Sequence, residues 1–394
     1  MRFKCYYVFT NFLTGVRVTI FKNGNVLCGD FVFRKVDVKI EDGIIKEIGE
    51  GLSGGEVFDL EGDYLLPGLI DEHFHGANNC TVYNADADEI VRLAEYEAQE
   101  GVTAITPTLS SYSDELMLNA IDAIKEAGKR EHRGAEVLGI HLEGPYLSHT
   151  HKGAHIPENL QIPTPEKLKQ HIDRGEGAVK LLTMAPEIDK DFETIKYAVS
   201  CGVAVSVGHS GADYETATAA IDAGATVSTH TFNAMVPLNH RNPGILGAVL
   251  TDDRVNCEVM GDFGHVAPAI VKLIYKAKGA DRVNFVSDSS LIAGLPEGEY
   301  VIDGVKSYVK GVLSYCEDGT ISGSATTVRT SVKNALKIGI PLEDAVKMAS
   351  LNPAKTLKVD NILGSIEVGK HASMFVADKD INPKAVFVKG KKVL

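Results

Sequence analysis

The sequence predicts a (β/α)8 TIM barrel with a small β-sandwich domain built from both chain termini. Three observations predict it. Eight short apolar runs rich in β-branched residues recur along the middle of the chain, helical segments separate them, and strand-like stretches with turn signals stand at both ends. Strands alternating with helices imply parallel βα units, and eight of them close a barrel. At 394 residues the chain exceeds one ordinary domain and has room for a barrel and a smaller unit.

The first 66 residues read as short strands: VTIFKNGNVL, then VDVKIEDGIIKEIG with Asp42-Gly43 at the turn, then EVFDLEGDYLL. The end of the chain alternates in the same way in GSIEVGKHASMFVADKD and KAVFVKGKKVL. Residues 1–66 and 360–394 are therefore expected to form one small domain, with a barrel over 67–359 inserted between them. The eight barrel runs are LLPGLI, VTAIT, VLGIHL, AVKLLTM, VAVSV, ATVST, VNCEVM and VNFVS. Helical spacing of apolar residues marks ADEIVRLAEYEAQEG, DELMLNAIDAIKEAG, DYETATAAIDAG and VAPAIVKLIYKAKG, while SATTVRTSVKNALKIG and PLEDAVKMASLNPAKTL return the chain to the small domain.

The formal net charge of −13 excludes an electrostatic hold on nucleic acid or an anionic membrane, since both need clustered Lys and Arg. The six cysteines, Cys5, Cys28, Cys80, Cys201, Cys257 and Cys316, show no CxxC spacing, which fits reduced packing residues in a cytoplasmic protein better than a disulfide framework. Met1 to Val16 is aromatic and apolar but lacks the long aliphatic run and small-residue cleavage site of a signal peptide. No stretch reaches the roughly 20 apolar residues of a membrane helix.

In a parallel barrel the chemistry sits where strands end. The first run leads into His73 and His75, the third into Glu143, the fifth into His209, the sixth into His230 and the eighth into Asp288. These are the nitrogen and oxygen ligands of a zinc-like or iron-like ion. Alternate residues of an extended segment face the same way, so His73 and His75 of DEHFHG can reach one ion. The bland account of an HxH is two surface histidines, but this pair follows Pro-Gly and the strand that opens the barrel. Glu143 in GIHLEGPYL has a buried-looking context, where an unpaired carboxylate is costly unless a cation or hydrogen bonds compensate it. A lone histidine such as His209 or His230 is more often structural; two on neighbouring strands beside Glu143 reverse that preference. Asp288 in NFVSDSS is a loop cap or a proton carrier for water at a metal. A carboxylated lysine is the alternative bridge between two ions, but Lys180 lies too early in its strand, before Thr183, Met184 and Ala185. The reaction class is metal-assisted hydrolysis.

HLEGPYL, KGAH, VGHS, THTFNAM, RNPG, GDFGH and VSDS, in that order and at barrel spacing, resemble the N-acetylglucosamine-6-phosphate deacetylases of the amidohydrolase superfamily. The resemblance covers essentially the whole chain. It implies that Glu143, His209 and His230 hold the main ion and that Asp288 is the acid and base. The substrate set it implies is Ala154 and His155 of KGAH, Asn233 and Ala234 of FNAM, Arg241 of RNPG, and Asp262, Phe263, Gly264 and His265 of GDFGH. Arg241 resembles the family's phosphate-binding arginine, which reaches in from the neighbouring subunit of a homodimer; a guanidinium suits phosphate through paired donors as well as charge. The implied reaction is attack of metal-activated water on the acetamide of a phosphorylated N-acetyl amino sugar, with His155 steadying the oxyanion. His149 and His151 match no family role and read as solvated loop residues.

Three departures bear on the substrate. The family usually reads ADGxH where this chain has GDFGH, TD before a small residue where it has SDSS, and an apolar residue where Thr231 stands. The galactosamine epimer is an alternative sugar, a cyclic amide an alternative substrate, and a catalytically silent scaffold an alternative of another class. Metal count is open between one and two divalent ions, zinc or iron, with His73 and His75 available to complete a second site together with Glu143 and Asp288.

Overall fold

A computed structural model describes residues 18–302 and 305–394. Cys5 and the stretch Met1 to Val16 lie outside the described residues. Eight parallel strands form the barrel: β1 (Leu69–Phe74), β2 (Val102–Leu109), β3 (Ile140–Glu143), β4 (Val179–Met184), β5 (Ala204–Val207), β6 (Val227–Ser228), β7 (Asn256–Met260) and β8 (Val283–Val286). Each pairs parallel to the next from β1 to β8, with register shifts between β1 and β2 and between β3 and β4. The seam between β8 and β1 is carried by two backbone bonds just past the strands, Asp288 N–H to the His73 carbonyl at 2.9 Å and His75 N–H to the Ser289 carbonyl at 2.8 Å. Two candidate site segments thus close the barrel themselves.

A helix follows every strand: α1 (Ala87–Gln99), α2 (Asp114–Lys129), α3 (Pro165–Gly175), α4 (Glu193–Ser200), α5 (Tyr214–Asp222), α6 (Gly244–Thr251), α7 (Pro268–Lys278) and α8 (Val328–Lys337). Several begin at side-chain caps. Asp86, Ser113, Thr164 and Asp213 each accept a first-turn backbone N–H, which satisfies a donor the helix cannot use. In α1 the apolar face Ile90, Leu93, Ala94 and Ala98 is buried against the barrel.

The run LLPGLI is cut in two. Tyr64–Pro67 belongs to a peripheral sheet and β1 begins at Leu69. Gly68 makes the transfer, because a Cβ there would stand 1.9 Å from the Thr103 hydroxyl. The peripheral sheet has six strands in the order Lys391–Lys392, Pro383–Val388, Met374–Ala377, Tyr64–Pro67, Asn25–Leu27 and Phe33–Arg34, so both chain ends share it. A second sheet of Ile44–Gly49, Asp37–Glu41, Val18–Lys22 and Glu56–Asp59 packs on it through one core containing Phe21, Val38, Ile40, Leu65, Met374, Val376 and Phe387. The Asp42-Gly43 turn is as expected, with both residues at positive φ.

Two features depart from the sequence reading. Between β8 and α8 the chain forms a four-stranded antiparallel sheet, Gly298–Ile302, Val305–Lys310, Leu313–Cys316 and Ile321–Ser324. The alternation in EYVI, VKSYVK and VLSYC with intervening Asp-Gly and Lys-Gly signals it. The cysteines are free among the described residues, but Cys201 is exposed where α4 ends, and Cys316 is only half-buried, so packing does not account for them all.

Glu97 on α1 is fully buried, and neither carboxylate oxygen has a partner among the described residues. Burial, helped by the nearby Asp71 and Glu100 carboxylates, pushes its carboxyl well above the ordinary range. The unfolded chain ionises this group above about pH 4.5 while the folded chain keeps the proton, so folding stability falls as pH rises past that point. Glu97→Gln removes the loss. Calorimetry is expected to show a Tm gain larger at pH 8 than at pH 5, roughly 2 °C for each kcal/mol recovered; equal gains at both pH values would contradict it.

Candidate metal and catalytic centre

The strand ends converge on one buried carboxylate. Glu143, the last residue of β3, lies within 3.1 to 3.4 Å of the Nε2 atoms of His73, His75, His155, His209 and His230. Asp288, two residues past β8, stands 3.3 Å from His75 Nε2 and 3.7 Å from His73 Nε2. All of these side chains are buried or nearly so. Three of the site residues leave their strands in the left-handed region, His209 at φ 49°, His230 at φ 26° and Asp288 at φ 46°. Such backbone costs of order 1 kcal/mol or more per residue and persists where its surroundings hold it.

The second ring nitrogen of each histidine decides what its Nε2 can do. His75 Nδ1–H donates to the Thr108 carbonyl at 3.1 Å, and His209 Nδ1–H to the His151 carbonyl at 2.8 Å. His73 Nδ1–H donates to Glu258 Oε2 at 2.9 Å. Each of these acceptors fixes a proton on Nδ1, so that in the neutral ring Nε2 has a lone pair toward the centre. His155 is the reverse: Ser111 N–H donates to its Nδ1 at 3.2 Å, so the neutral ring carries its proton on Nε2 and presents a donor. Glu143, His155 and His209 fall close enough together to be read as one three-residue cation site, with His73, His75 and Asp288 as another. The hydrogen bond from Ser111 argues against His155 as a ligand. In His230 the Nδ1 atom has no partner among the described residues, and Nε2 lies 3.0 Å from His209 Nε2.

Two imidazole nitrogens facing each other at that distance need a proton or a cation between them and Glu143. Electrostatics agree. Burial would keep His73 neutral, but the carboxylates of Glu143, Glu258 and Asp288 outweigh it and raise its pKa well above the ordinary value. His75 is raised to about 9 against the same burial by Asp288 and Glu143, while burial lowers His209 to about 4. Burial opposes ionisation of Glu143 and Asp288, yet the surrounding histidines hold both carboxyls below their ordinary range. With His73 Nε2 buried and without a hydrogen-bond partner, the donor set fits a divalent cation.

Of the remaining expected residues, Asp262 shapes its own loop, accepting from Gly264 N–H and His265 N–H and pairing with His265 Nδ1 at 2.7 Å. Phe263 takes φ 66°, at the position where the family pattern has glycine. A Cβ on Gly264 would stand 2.6 Å from the Val312 side chain and 2.9 Å from that of Leu313, so the inserted sheet requires glycine there. Asn233 folds back onto the His230 carbonyl, and the Ala234 carbonyl accepts from Ser210 N–H. Ala154 is exposed beside buried His155. Arg241 is not drawn into the cluster: it is exposed, and its guanidinium has no partner among the described residues. Lys180, near the start of β4, packs its stem toward Gly139 below the strand ends.

Besides Ser111 and Thr108, three contributors were not singled out from the sequence. His151, read as a solvated residue, supplies the carbonyl that orients His209. His141, one strand pitch below Glu143, is buried between Thr108 and Thr183 hydroxyls and kept neutral by burial and by His73. Glu258 in VNCEVM faces His73. A carboxylate in an otherwise apolar barrel run was the available signal for Glu258; a backbone carbonyl leaves none.

Comparison with known proteins agrees with this geometry. The model of the Amidohydrolase family matches residues 64–393. The chain is 34% identical over 330 residues to the N-acetylglucosamine-6-phosphate deacetylase of Vibrio furnissii, covering 84% of this chain and 82% of that protein. It is 33% identical over 355 residues to the N-acetylgalactosamine-6-phosphate deacetylase of Escherichia coli O157:H7, covering 90% and 93%. The crystal structure of N-acetylglucosamine-6-phosphate deacetylase from Pasteurella multocida superposes with a TM-score of 0.89 at 31% identity, covering 95% of this chain and 99% of that one. With a matched family model over most of its length, the chain belongs to the amidohydrolase family.

Proposed function

We propose that this chain hydrolyses the acetamide of N-acetylglucosamine 6-phosphate to glucosamine 6-phosphate and acetate, in amino-sugar catabolism. The observation that carries the reading is the sorting of histidines around Glu143: lone pairs from His73, His75 and His209, and a donor from His155. Similarity to deacetylases of both hexosamine phosphates supports the substrate class.

In this reading Glu143, His209 and His230 would hold one divalent ion, and His73, His75 and Asp288, together with Glu143, would hold a second. Zinc and iron suit the nitrogen and oxygen donors. Such ions supply Lewis acidity toward the amide carbonyl and lower the pKa of water toward about 7. Asp288 accepts the proton of the attacking water and returns it to the departing nitrogen, so that acetate and a free amine leave. His155 donates from Nε2 to the carbonyl oxygen as it gains charge, held in that tautomer by Ser111. Asn233, Ala234 and the Asp262 to His265 loop line the sugar, with His265 oriented by Asp262 and Ala154 beside His155. Arg241 binds the phosphate in the neighbouring subunit's pocket of a homodimer, a role supported by a guanidinium that is exposed and has no partner among the described residues. Cysteines that are free among the described residues support the cytoplasm as its compartment.

The galactosamine epimer is the second reading, favoured by the Escherichia coli relative and by the unusual Phe263 and Gly264. Acetate release from N-acetylglucosamine 6-phosphate, the unphosphorylated sugar and the galactosamine epimer decides between them. Phosphate-dependent release, fastest for the glucosamine compound and reduced about 10²- to 10⁴-fold by Asp288→Asn, is expected. Faster turnover of the epimer would replace the substrate, and an active Asp288→Asn enzyme would remove the proton carrier.

His155→Ala is expected to lower kcat about 10²- to 10³-fold with metal content unchanged, because a donor rather than a ligand is lost. Loss of an ion from that variant would instead make His155 a ligand. Arg241→Ala is expected to raise KM for the phosphorylated sugar roughly 10- to 100-fold, the worth of a charge-assisted hydrogen bond, with little change in kcat. Sedimentation alongside kinetics tests its placement: a monomeric variant with unaltered KM would contradict a role across subunits.

A further inference from the structure

Glu258 is the fully buried middle residue of β7 (Asn256–Met260). Its Oε2 accepts His73 Nδ1–H at 2.9 Å and the backbone N–H of His230 at 3.1 Å. Its own carbonyl accepts Thr231 N–H at 2.8 Å, so β7 grips the His230 turn at two points. The other carboxylate oxygen, Oε1, has no hydrogen-bond partner, and no Lys or Arg forms an ion pair with Glu258 among the described residues. A carboxylate buried this deeply is costly unless positive charge lies close by. The groups it does engage belong to two candidate ligands from β1 and from the end of β6.

We propose that Glu258 is a positioning residue for the metal centre: it holds His73 with the Nε2 lone pair turned toward Asp288 and Glu143, and ties that ring to the His230 turn. This rests on the two-ion reading above. An ionised carboxylate can only accept, so it confines the His73 proton to Nδ1, and its negative charge makes the ring a better donor to a cation. An imidazole without such an acceptor divides its proton between both nitrogens, and a proton on Nε2 blocks ligation. Through one oxygen Glu258 also sets the distance between the His73 and His230 halves of the centre. Its function is thereby separate from that of Asp288 and His155, which face the reacting atoms.

In Glu258→Gln the position of Oε2, which accepts both bonds, takes either the amide oxygen, which keeps both without the negative charge that strengthens His73 as a donor, or the NH2, which donates to His73 Nδ1, leaves the ring proton on Nε2 and gives up His230 N–H. Zinc is titrated into metal-free protein against a chromophoric chelator, and cobalt substitution reports the coordination of each ion by its visible spectrum. Two ions per wild-type chain are expected, with the affinity for the His73 site falling about 10- to 100-fold in Glu258→Gln while the other ion is retained. In a His73→Ala background Glu258→Gln is expected to cause no further loss. Unchanged affinity for both ions in Glu258→Gln, or a further loss in the double variant, overturns the positioning role and leaves the two-ion reading standing. Fewer than two ions on the wild-type chain overturns that reading and the proposal with it. Should Glu258→Gln fail to fold, nitrogen NMR of histidine-labelled, zinc-loaded wild-type protein provides the test: a proton on His73 Nδ1 is expected, and a His73 Nδ1 without a proton overturns the proposal.

Discussion

A single buried carboxylate organises the mouth of this barrel. Glu143 is surrounded by five imidazoles, and neither it nor they would be stable there alone. Its geometry depends on barrel closure, because the histidines arrive from the ends of β1, β5 and β6 and from the loop after β3. Closure in turn depends on the same residues, since the backbone bonds across the β8–β1 seam involve His73, His75 and Asp288. The same residues therefore serve barrel closure and the centre. The left-handed backbone at His209, His230 and Asp288 is held by the parallel ladders behind it, which have many hydrogen bonds to set against a few strained residues.

Chemically identical side chains acquire different properties through atoms that never touch substrate. A carbonyl behind His75 or His209 gives a lone pair at Nε2, whereas the amide N–H of Ser111 behind His155 gives a donor. Beneath this layer His141, Thr108, Thr183, Ser206 and Thr229 form a buried hydroxyl and imidazole network that satisfies its own polar atoms and leaves the upper layer undisturbed. That network is self-contained, whereas at the mouth His73 Nε2 is buried without a hydrogen-bond partner among the described residues, an atom that a cation would complete.

The inserted antiparallel sheet reaches this site from an unexpected direction. Its last strand donates Ser324 N–H to the Asp288 carbonyl at 2.7 Å and accepts Ser290 N–H, so the loop that holds Asp288 is an extension of that sheet. Its Val312 and Leu313 fill the space above Gly264. The glycine in GDFGH therefore follows from packing, and the positive φ falls on Phe263 instead. A bulky residue in that conformation is unusual, and its neighbours in the Asp262 loop, bonded to Gly264 and His265, hold it there.

Local pattern was enough to determine the barrel strands, the helices between them, the two-ended sheet and the histidines and carboxylates at the strand ends, because periodicity, turn residues and the alternation in DEHFHG are properties of neighbouring residues. The transfer at Gly68 and the sheet over 298–324 were also written locally, in a glycine within an apolar run and in alternating aromatic and β-branched residues. What the tertiary structure alone decided is which nitrogen of each histidine faces the centre, and that the His151 carbonyl, Ser111 N–H and Glu258 carboxylate stand behind them. Those partners lie 44 to 185 residues away from the rings they orient, and two of the three are backbone groups that every residue possesses. No side-chain pattern can announce a backbone carbonyl or amide; only closure of the barrel puts it next to an imidazole.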